Sequence, residues 1–104
     1  MTASVAWPAL RRNLVAILRG IKPTEIEATV VALVEAGFEA IEVPLNSPDP
    51  FVSIEKARKR APANVLIGAG TVLEVAQVDR LNDVGGNLLV TPNVEPDVIR
   101  RAVS

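Results

Sequence analysis

Short apolar runs return along this chain at a nearly constant interval, and that interval restricts the folds open to it. The runs begin at residues 14, 40, 65 and 88, so that successive starts lie 26, 25 and 23 residues apart. The runs 14–18, 40–43, 65–69 and 88–90 are apolar or small throughout, with the single exception of Glu42. Strands that are covered on both faces, as in parallel sheets, have this composition.

Segments with helical periodicity separate these runs. In the clearest of them, residues 24–36, apolar side chains recur at helical spacing, while Pro23 stands near its start and Gly37 just past its end. Residues 50–61 and 74–84 form the second and third predicted helices, and a fourth begins at residue 95 or 96. A short helical turn is also expected before residue 14.

Strands and helices that alternate at this spacing predict β/α units with parallel strands and right-handed connections. Four such units within 104 residues predict one domain without an internal linker. The periodicity allows two α/β folds. One is a small doubly wound sheet, and the other is half of an eight-stranded (β/α)8 barrel, whose complete form takes about 200 residues or more.

Composition narrows the classes of function. A net charge of −1 gives no electrostatic basis for binding nucleic acid or an acidic membrane surface. Cysteine and histidine are both absent, so we expect neither a disulfide framework nor a metal site of the usual kind. No apolar run approaches the roughly 20 residues of a membrane helix, and residues 1–10 lack the pattern of a secretory signal. We therefore expect a cytoplasmic protein.

Polar residues follow the predicted strands at the edge where parallel α/β folds gather their functional groups. Four strand ends carry them: Arg19-Gly20, Glu42 with Pro44-Leu45-Asn46-Ser47-Pro48, Gly70-Thr71, and Thr91-Pro92-Asn93. Glu42 is the most informative of these residues, because a carboxylate among apolar neighbours is costly to bury unless it is paired or protonated. It is either a catalytic acid–base group or one member of an ion pair with Arg19.

The other strand ends leave alternatives open. The planar guanidinium of Arg19 suits a substrate carboxylate or phosphate, and it also suits a structural partner for Glu42. The run Gly68-Ala69-Gly70-Thr71 begins like a dinucleotide-binding fingerprint, but Leu73 stands where the third glycine is needed. Small residues that let a substrate approach the backbone and the Thr71 hydroxyl fit this run better.

Turn chemistry alone can account for two further motifs, Thr91-Pro92-Asn93 and Asn46-Ser47-Pro48. The three lysines are weak candidates for an imine-forming residue, which must be desolvated to act as a nucleophile. Lys56 and Lys59 lie among charges on a predicted helix, and Lys22 follows the first strand without an apolar wall around it.

Four segments together resemble one enzyme family: residues 16–21 (AILRGI), 35–48 (EAGFEAIEVPLNSP), 67–73 (IGAGTVL) and 90–93 (VTPN). In order and spacing they closely resemble the 2-dehydro-3-deoxy-6-phosphogalactonate aldolases, a branch of the KDPG class I aldolase family. The likeness runs from about Leu14 to Ser104. The PLNSP run favours the galactonate branch, because the gluconate branch tends to carry an arginine at the position of Asn46.

This resemblance implies a TIM (β/α)8 barrel, usually assembled as a trimer, of which the chain forms the N-terminal half. It implies reversible cleavage of the phosphorylated keto sugar acid to pyruvate and glyceraldehyde 3-phosphate through an imine, without a metal or an organic cofactor. Glu42 would be the general acid–base group. The resemblance assigns the remaining residues to substrate binding: Arg19 and Thr71 at the keto-acid end, and Gly68, Gly70, Thr91, Pro92 and Asn93 around pyruvate.

The family also has groups that this chain does not contain. Its imine-forming lysine lies on the sixth strand and its phosphate site on the last strands, whereas Ser104 closes the fourth β/α unit. We therefore expect the chain alone to be inactive as an aldolase. The alternatives are a 2-dehydro-3-deoxy-6-phosphogluconate aldolase, a non-catalytic half-barrel that serves assembly, and a nucleotide-binding α/β domain.

Overall fold

The computed structural model describes residues 15–91 and 96–103, which form four consecutive β/α units. The strands are β1 (Val15–Ile17), β2 (Ala40–Pro44), β3 (Leu66–Gly70) and β4 (Leu88–Leu89). The helices are α1 (Ile26–Glu35), α2 (Pro50–Arg60), α3 (Val75–Asp83) and α4 (Pro96–Val103). Within the described residues every predicted strand and helix is present, with ends that differ by no more than two residues. The helical turn expected before residue 14 lies outside them.

The order of the strands separates the two folds that the periodicity left open. The sheet has the order β1-β2-β3-β4, and each neighbouring pair is parallel. Successive helices also contact one another, α1 with α2, α2 with α3, and α3 with α4. In a doubly wound sheet the strand order reverses and helices cover both faces. An unbroken order with neighbouring helices in sequence is the arrangement of a barrel, of which this chain forms four units.

The main core lies between the sheet and the helices. Ile41 and Val43 of β2 and Ile67 of β3 point towards the helices, and all three are fully buried. The helices contribute fully buried side chains to the same cluster: Ile26, Val30, Ile54, Val78 and Leu81. Burying an aliphatic side chain of this size stabilises a fold by roughly 1.5–3 kcal/mol, so this layer fixes the positions of the strands.

The opposite face of the sheet is the inner face, and it is only partly covered. Ala40, Leu66 and Leu88 form a separate small cluster there, with Val15 packed against it. Towards the carboxyl ends of the strands, Ile17 is 52% exposed and Val90 is 39% exposed. Side chains on this face at that end are therefore open to a ligand.

A clamp formed by Arg58 and Asn87 holds the amino ends of β3 and β4. The Asn87 side-chain oxygen accepts a hydrogen bond from the buried Ile67 N–H at 2.9 Å, and the Asn87 N–H donates to the Ile67 carbonyl at 2.8 Å. The Arg58 guanidinium donates to the Val65 carbonyl at 2.8 Å. These bonds satisfy backbone groups at the end of the sheet opposite the predicted site.

Two features of the chain sequence explain where helices begin and end. Gly37 follows α1 with φ at 97°, a left-handed conformation that glycine adopts without steric cost, as its predicted position required. Glu74 and Gln77 form a reciprocal capping box at the start of α3.

Within residues 15–91 and 96–103 no helix is long and apolar enough to cross a membrane.

Candidate active site

The carboxyl ends of the strands bring three of the predicted site residues to one recess. Its volume is about 210 Å³. It is lined by residues from the ends of all four strands and the loops that follow them: Ile17, Arg19, Glu42, Pro44, Asn46, Thr71 and Val90. Arg19, Glu42 and Thr71 are thus gathered by the parallel register, which aligns Ile17 with Glu42 and Glu42 with Gly68. The residues that carry the expected acid, guanidinium and hydroxyl groups thus line one recess.

Glu42 is buried in the floor of this recess. Its side chain points to the inner face, only 4% of the residue is exposed, and its Oε2 atom has no hydrogen-bond partner among the described residues. Burial raises the pKa of the Glu42 carboxyl above its ordinary value of 4.5, and the positive charge of Arg19 opposes that rise in part. A carboxyl group of this kind can hold a proton closer to neutral pH than an exposed one.

Arg19 lies in the turn after β1 and is exposed. Among the described residues its guanidinium is not within ion-pair distance of any carboxylate, Glu42 included. The ion pair that the sequence left open as the alternative role of Glu42 is therefore not formed there. Arg19 acts on Glu42 through its charge across the recess and keeps its planar donors available. It is therefore placed to bind an anionic ligand next to the buried acid.

Ser47 helps to position the turn that carries Arg19, whereas the sequence interpretation assigned it only to a turn. The turn assignment is correct, since the Ser47 N–H donates to the Pro44 carbonyl at 3.0 Å. In addition, the buried Ser47 hydroxyl accepts a hydrogen bond from the Gly20 N–H at 3.3 Å. This bond joins the loop after β2 to the turn that carries Arg19. Gly20 and Ser47 are 27 residues apart in the sequence, so no local sequence pattern could predict this hydrogen bond.

Thr71 has an unusual backbone conformation. Its φ is 57°, in the left-handed region that a β-branched residue rarely adopts. Such a conformation costs on the order of 1–3 kcal/mol and is concentrated at functional sites. Thr71 is half-buried and lines the recess together with Arg19 and Glu42.

The remaining predicted site residues have different positions. Gly68 and Gly70 are buried in β3 and do not line the recess, although they lie on its face of the sheet. Thr91 is half-buried and also does not line it. Pro92 and Asn93 lie outside the described residues. Asn46, which was interpreted as a turn residue, does line the recess.

Lysines and metal ligands are the other groups that decide the chemistry. The structure describes all three lysines of the chain, and none of them lines the recess. The Lys56 ammonium donates to the Pro23 carbonyl at 3.3 Å, and Lys59 pairs with Glu55 at 3.6 Å. In the described part of the chain no cluster of three acidic, histidine or cysteine residues is suited to a metal ion.

A larger groove of about 490 Å³ lies between the starts of α2 and α3. Its ionisable lining residues, Asp49, Glu74 and Arg80, are all exposed, and Arg80 stacks over the Phe51 ring at 4.1 Å. Exposed charges of this kind have no special reactivity. The smaller recess therefore remains the candidate site, because it combines a buried acid with an exposed cation.

Replacing Arg19 by glutamine is expected to raise the pKa of Glu42 further, because it removes the positive charge that favours the carboxylate. Side-chain ¹³C NMR titration of the glutamates measures this pKa directly, with Glu42→Gln identifying the resonance. Lys22→Gln is the matched control: it removes an exposed charge from the same loop and should leave the titration of Glu42 unchanged. A Glu42 pKa that stays constant or falls in Arg19→Gln contradicts the expectation.

Known proteins are similar to this chain in sequence and in fold. The family profile for KDPG and KHG aldolase matches residues 9–104. A probable 2-dehydro-3-deoxy-6-phosphogalactonate aldolase of Rhizobium meliloti (strain 1021) is 67% identical over 100 residues, covering 96% of this chain and 47% of that protein. The 2-dehydro-3-deoxy-6-phosphogalactonate aldolase of Escherichia coli (strain K12) is 53% identical over 90 residues, covering 86% of this chain and 44% of that protein.

The solved structures agree with these sequence matches. A structure described as native KDPGal superimposes with a TM-score of 0.86 at 47% identity, over 98% of this chain and 47% of that one. This chain therefore spans about half the length of the curated relatives it matches.

Proposed function

We propose that this chain, which belongs to the KDPG and KHG aldolase family, supplies the acid–base group of an active site. The complete site would cleave 2-dehydro-3-deoxy-6-phosphogalactonate to pyruvate and D-glyceraldehyde 3-phosphate. The observation that carries the proposal is the buried carboxyl of Glu42 in one recess with the exposed Arg19; its Oε2 atom has no hydrogen-bond partner among the residues that the structure describes. An acid that can hold and release a proton, next to an anion-binding cation, is what a keto-acid aldolase requires.

In the proposed reaction a lysine amine adds to the C2 ketone of the substrate, and a water molecule leaves to give an imine. A base then takes the proton of the C4 hydroxyl, the bond between C3 and C4 breaks, and its electron pair moves towards the imine nitrogen. Glyceraldehyde 3-phosphate departs, the resulting enamine is protonated at C3, and water releases pyruvate and the amine. Glu42 is the group proposed to give and take these protons, through a water molecule.

Arg19 and Thr71 are proposed to hold the keto-acid end of the substrate. The Arg19 guanidinium offers parallel donors that match a carboxylate, and the Thr71 hydroxyl can donate a further hydrogen bond. Both line the recess with Glu42. Because none of the three lysines lines it, the imine-forming lysine is proposed to come from outside residues 1–104, and these residues alone are proposed to be inactive.

Borohydride trapping tests this proposal. A fusion of this chain to the remaining half of the Rhizobium meliloti relative is incubated with pyruvate and reduced. Its mass should rise by one reduced pyruvate adduct on a lysine of the added half. The unfused chain, treated identically, should stay unlabelled. The proposal is wrong if a soluble, folded fusion takes up no adduct, or if the unfused chain is labelled on Lys22, Lys56 or Lys59.

The preferred epimer is proposed from the relatives, since both of the curated proteins described above carry the galactonate name. The fusion should cleave the galactonate substrate with a higher kcat/KM than the gluconate epimer. Two further expectations from the sequence belong to this proposal. They are assembly as a homo-oligomer, a trimer in the complete family fold, and a cytoplasmic location.

A further inference from the structure

We propose that Gly70 is a positioning residue for Glu42. Because Gly70 has no side chain, the buried carboxyl group of Glu42 can occupy the space next to its α-carbon. The inference rests on the proposed function, because it matters for the reaction only if Glu42 is the acid–base group. It replaces the expected role of Gly70 as a residue that lines the substrate pocket with a role that acts through Glu42.

The contact between the two residues is direct. Glu42 pairs in register with Gly68, and Gly70 lies two residues beyond Gly68 on β3. Because side chains alternate along a strand, Gly70 is on the same face of the sheet as Glu42. A β-carbon built on Gly70 would overlap the carboxyl carbon and both carboxyl oxygens of Glu42, and these are its three nearest atoms. The carboxyl group therefore rests against the α-carbon of Gly70.

The backbone of Gly70 does not itself require glycine. Among the described residues the glycines with left-handed φ are Gly20, Gly37 and Gly85, and Gly70 is not one of them. It lies within a regular strand, where glycine is normally unfavourable because it lacks a side chain to pack. The absence of a β-carbon at this position is thus explained by space for the Glu42 carboxyl, and not by chain conformation.

The space has an energetic consequence for the acid. In its present position Glu42 is almost fully buried, and its Oε2 atom has no hydrogen-bond partner in the described part of the chain. This burial is the largest cause of the raised pKa of Glu42. A methyl group at Gly70 would push the carboxyl outwards into the open recess. Because the displaced atoms are the end of a rotatable side chain, the strand can stay in place while the acid becomes solvated.

The first test is a ¹³C NMR titration of this 104-residue chain carrying Gly70→Ala. The pKa of Glu42 should fall towards its ordinary value in this variant. Gly86→Ala is the matched control, because the atoms nearest to a β-carbon there belong to Leu81 and not to Glu42. It should leave the pKa of Glu42 raised. A folded Gly70→Ala chain in which that pKa is unchanged would overturn the inference.

A double-mutant cycle tests the same inference by stability, so that it can be decided even if Gly70→Ala folds poorly. Below pH 4.5, where the buried, protonated carboxyl stabilises the fold, Gly70→Ala should lower the urea midpoint in the wild-type background and change it much less in the Glu42→Ala background, where the space is free. Equal losses in the two backgrounds would show that the alanine disturbs something other than Glu42.

The kinetic test uses the fusion protein. If Gly70 positions Glu42, Gly70→Ala should lower kcat and move the acid limb of the pH profile of kcat to lower pH, with little change in KM. A rise in KM alone would instead indicate that Gly70 touches the substrate. The titration and the double-mutant cycle need no aldolase activity, so failure of the proposed reaction in borohydride trapping is distinguishable from failure of this inference.

Discussion

Replacing Glu42 by glutamine is expected to lower the kcat of the fusion aldolase by about 10²–10⁴-fold, the range that a positioned acid–base group contributes. Glutamine keeps the shape of the side chain but cannot exchange a proton. Release of pyruvate, followed with a coupled dehydrogenase, measures the effect. Glu39→Gln is the control, because Glu39 is also buried next to β2 but lies at its opposite end. Similar losses in both variants would contradict the assignment of Glu42.

The same substitution is expected to remove a pH dependence of stability. Because burial raises the pKa of Glu42 in the folded state above the value of 4.5 in an unfolded chain, the folded chain binds its proton more tightly. The resulting stabilisation is fully present below pH 4.5 and is lost as the pH rises through the folded-state pKa. Urea denaturation across this window should show that fall in the wild type and a flatter profile in Glu42→Gln. If stability depends on pH in the same way in the wild type and in Glu42→Gln, the pKa of Glu42 is not the cause of the dependence.

Gly68→Ala is expected to have the largest effect on folding. A β-carbon on Gly68 would overlap the carbonyl oxygen, the carbonyl carbon and the α-carbon of Leu88, its partner in the parallel register of β3 and β4. Backbone atoms of a paired strand cannot rotate away as a side chain can. We expect a loss of stability at or above the upper end of the ~1–3 kcal/mol that overpacking usually costs. This is a large share of the stability of a small domain.

Circular dichroism and urea denaturation measure this loss, and Gly70→Ala is its natural comparison. The two glycines lie on the same strand and face, two residues apart, and receive the same methyl group. The Gly68 variant should separate β4 from β3, whereas the Gly70 variant should mainly move a carboxyl group. If the two variants are equally stable, the distinction between a backbone contact and a side-chain contact is wrong.

Local sequence features predicted the β/α units well, because each strand and helix is defined by its own apolar pattern. The runs near Val43 and Ile67 became buried strands, and the stripe through Ile26 and Val30 became the buried face of α1. The choice between a doubly wound sheet and a barrel depends on which strands are neighbours. That is a non-local property which periodicity does not contain, and only the family resemblance indicated it.

The residues of the candidate site were predictable from the sequence, but the contacts between them were not. A general rule places functional groups at the carboxyl ends of parallel strands, and it sufficed to bring Arg19, Glu42 and Thr71 together. The contact of Ser47 with Gly20 and that of Gly70 with Glu42 depend on distances of a few ångströms between separate strands. The left-handed backbone of Thr71 was also missed, since sequence patterns assign that conformation to glycine or asparagine.

The clamp of Arg58 and Asn87 sits at the end of the sheet remote from the recess, with the whole length of β3 between them. The hydrogen bonds that anchor the backbone and the candidate site thus lie at opposite ends of one small sheet. Residues around the clamp can therefore be varied to change heat tolerance while the recess stays intact, and residues of the recess can be varied without touching the clamp.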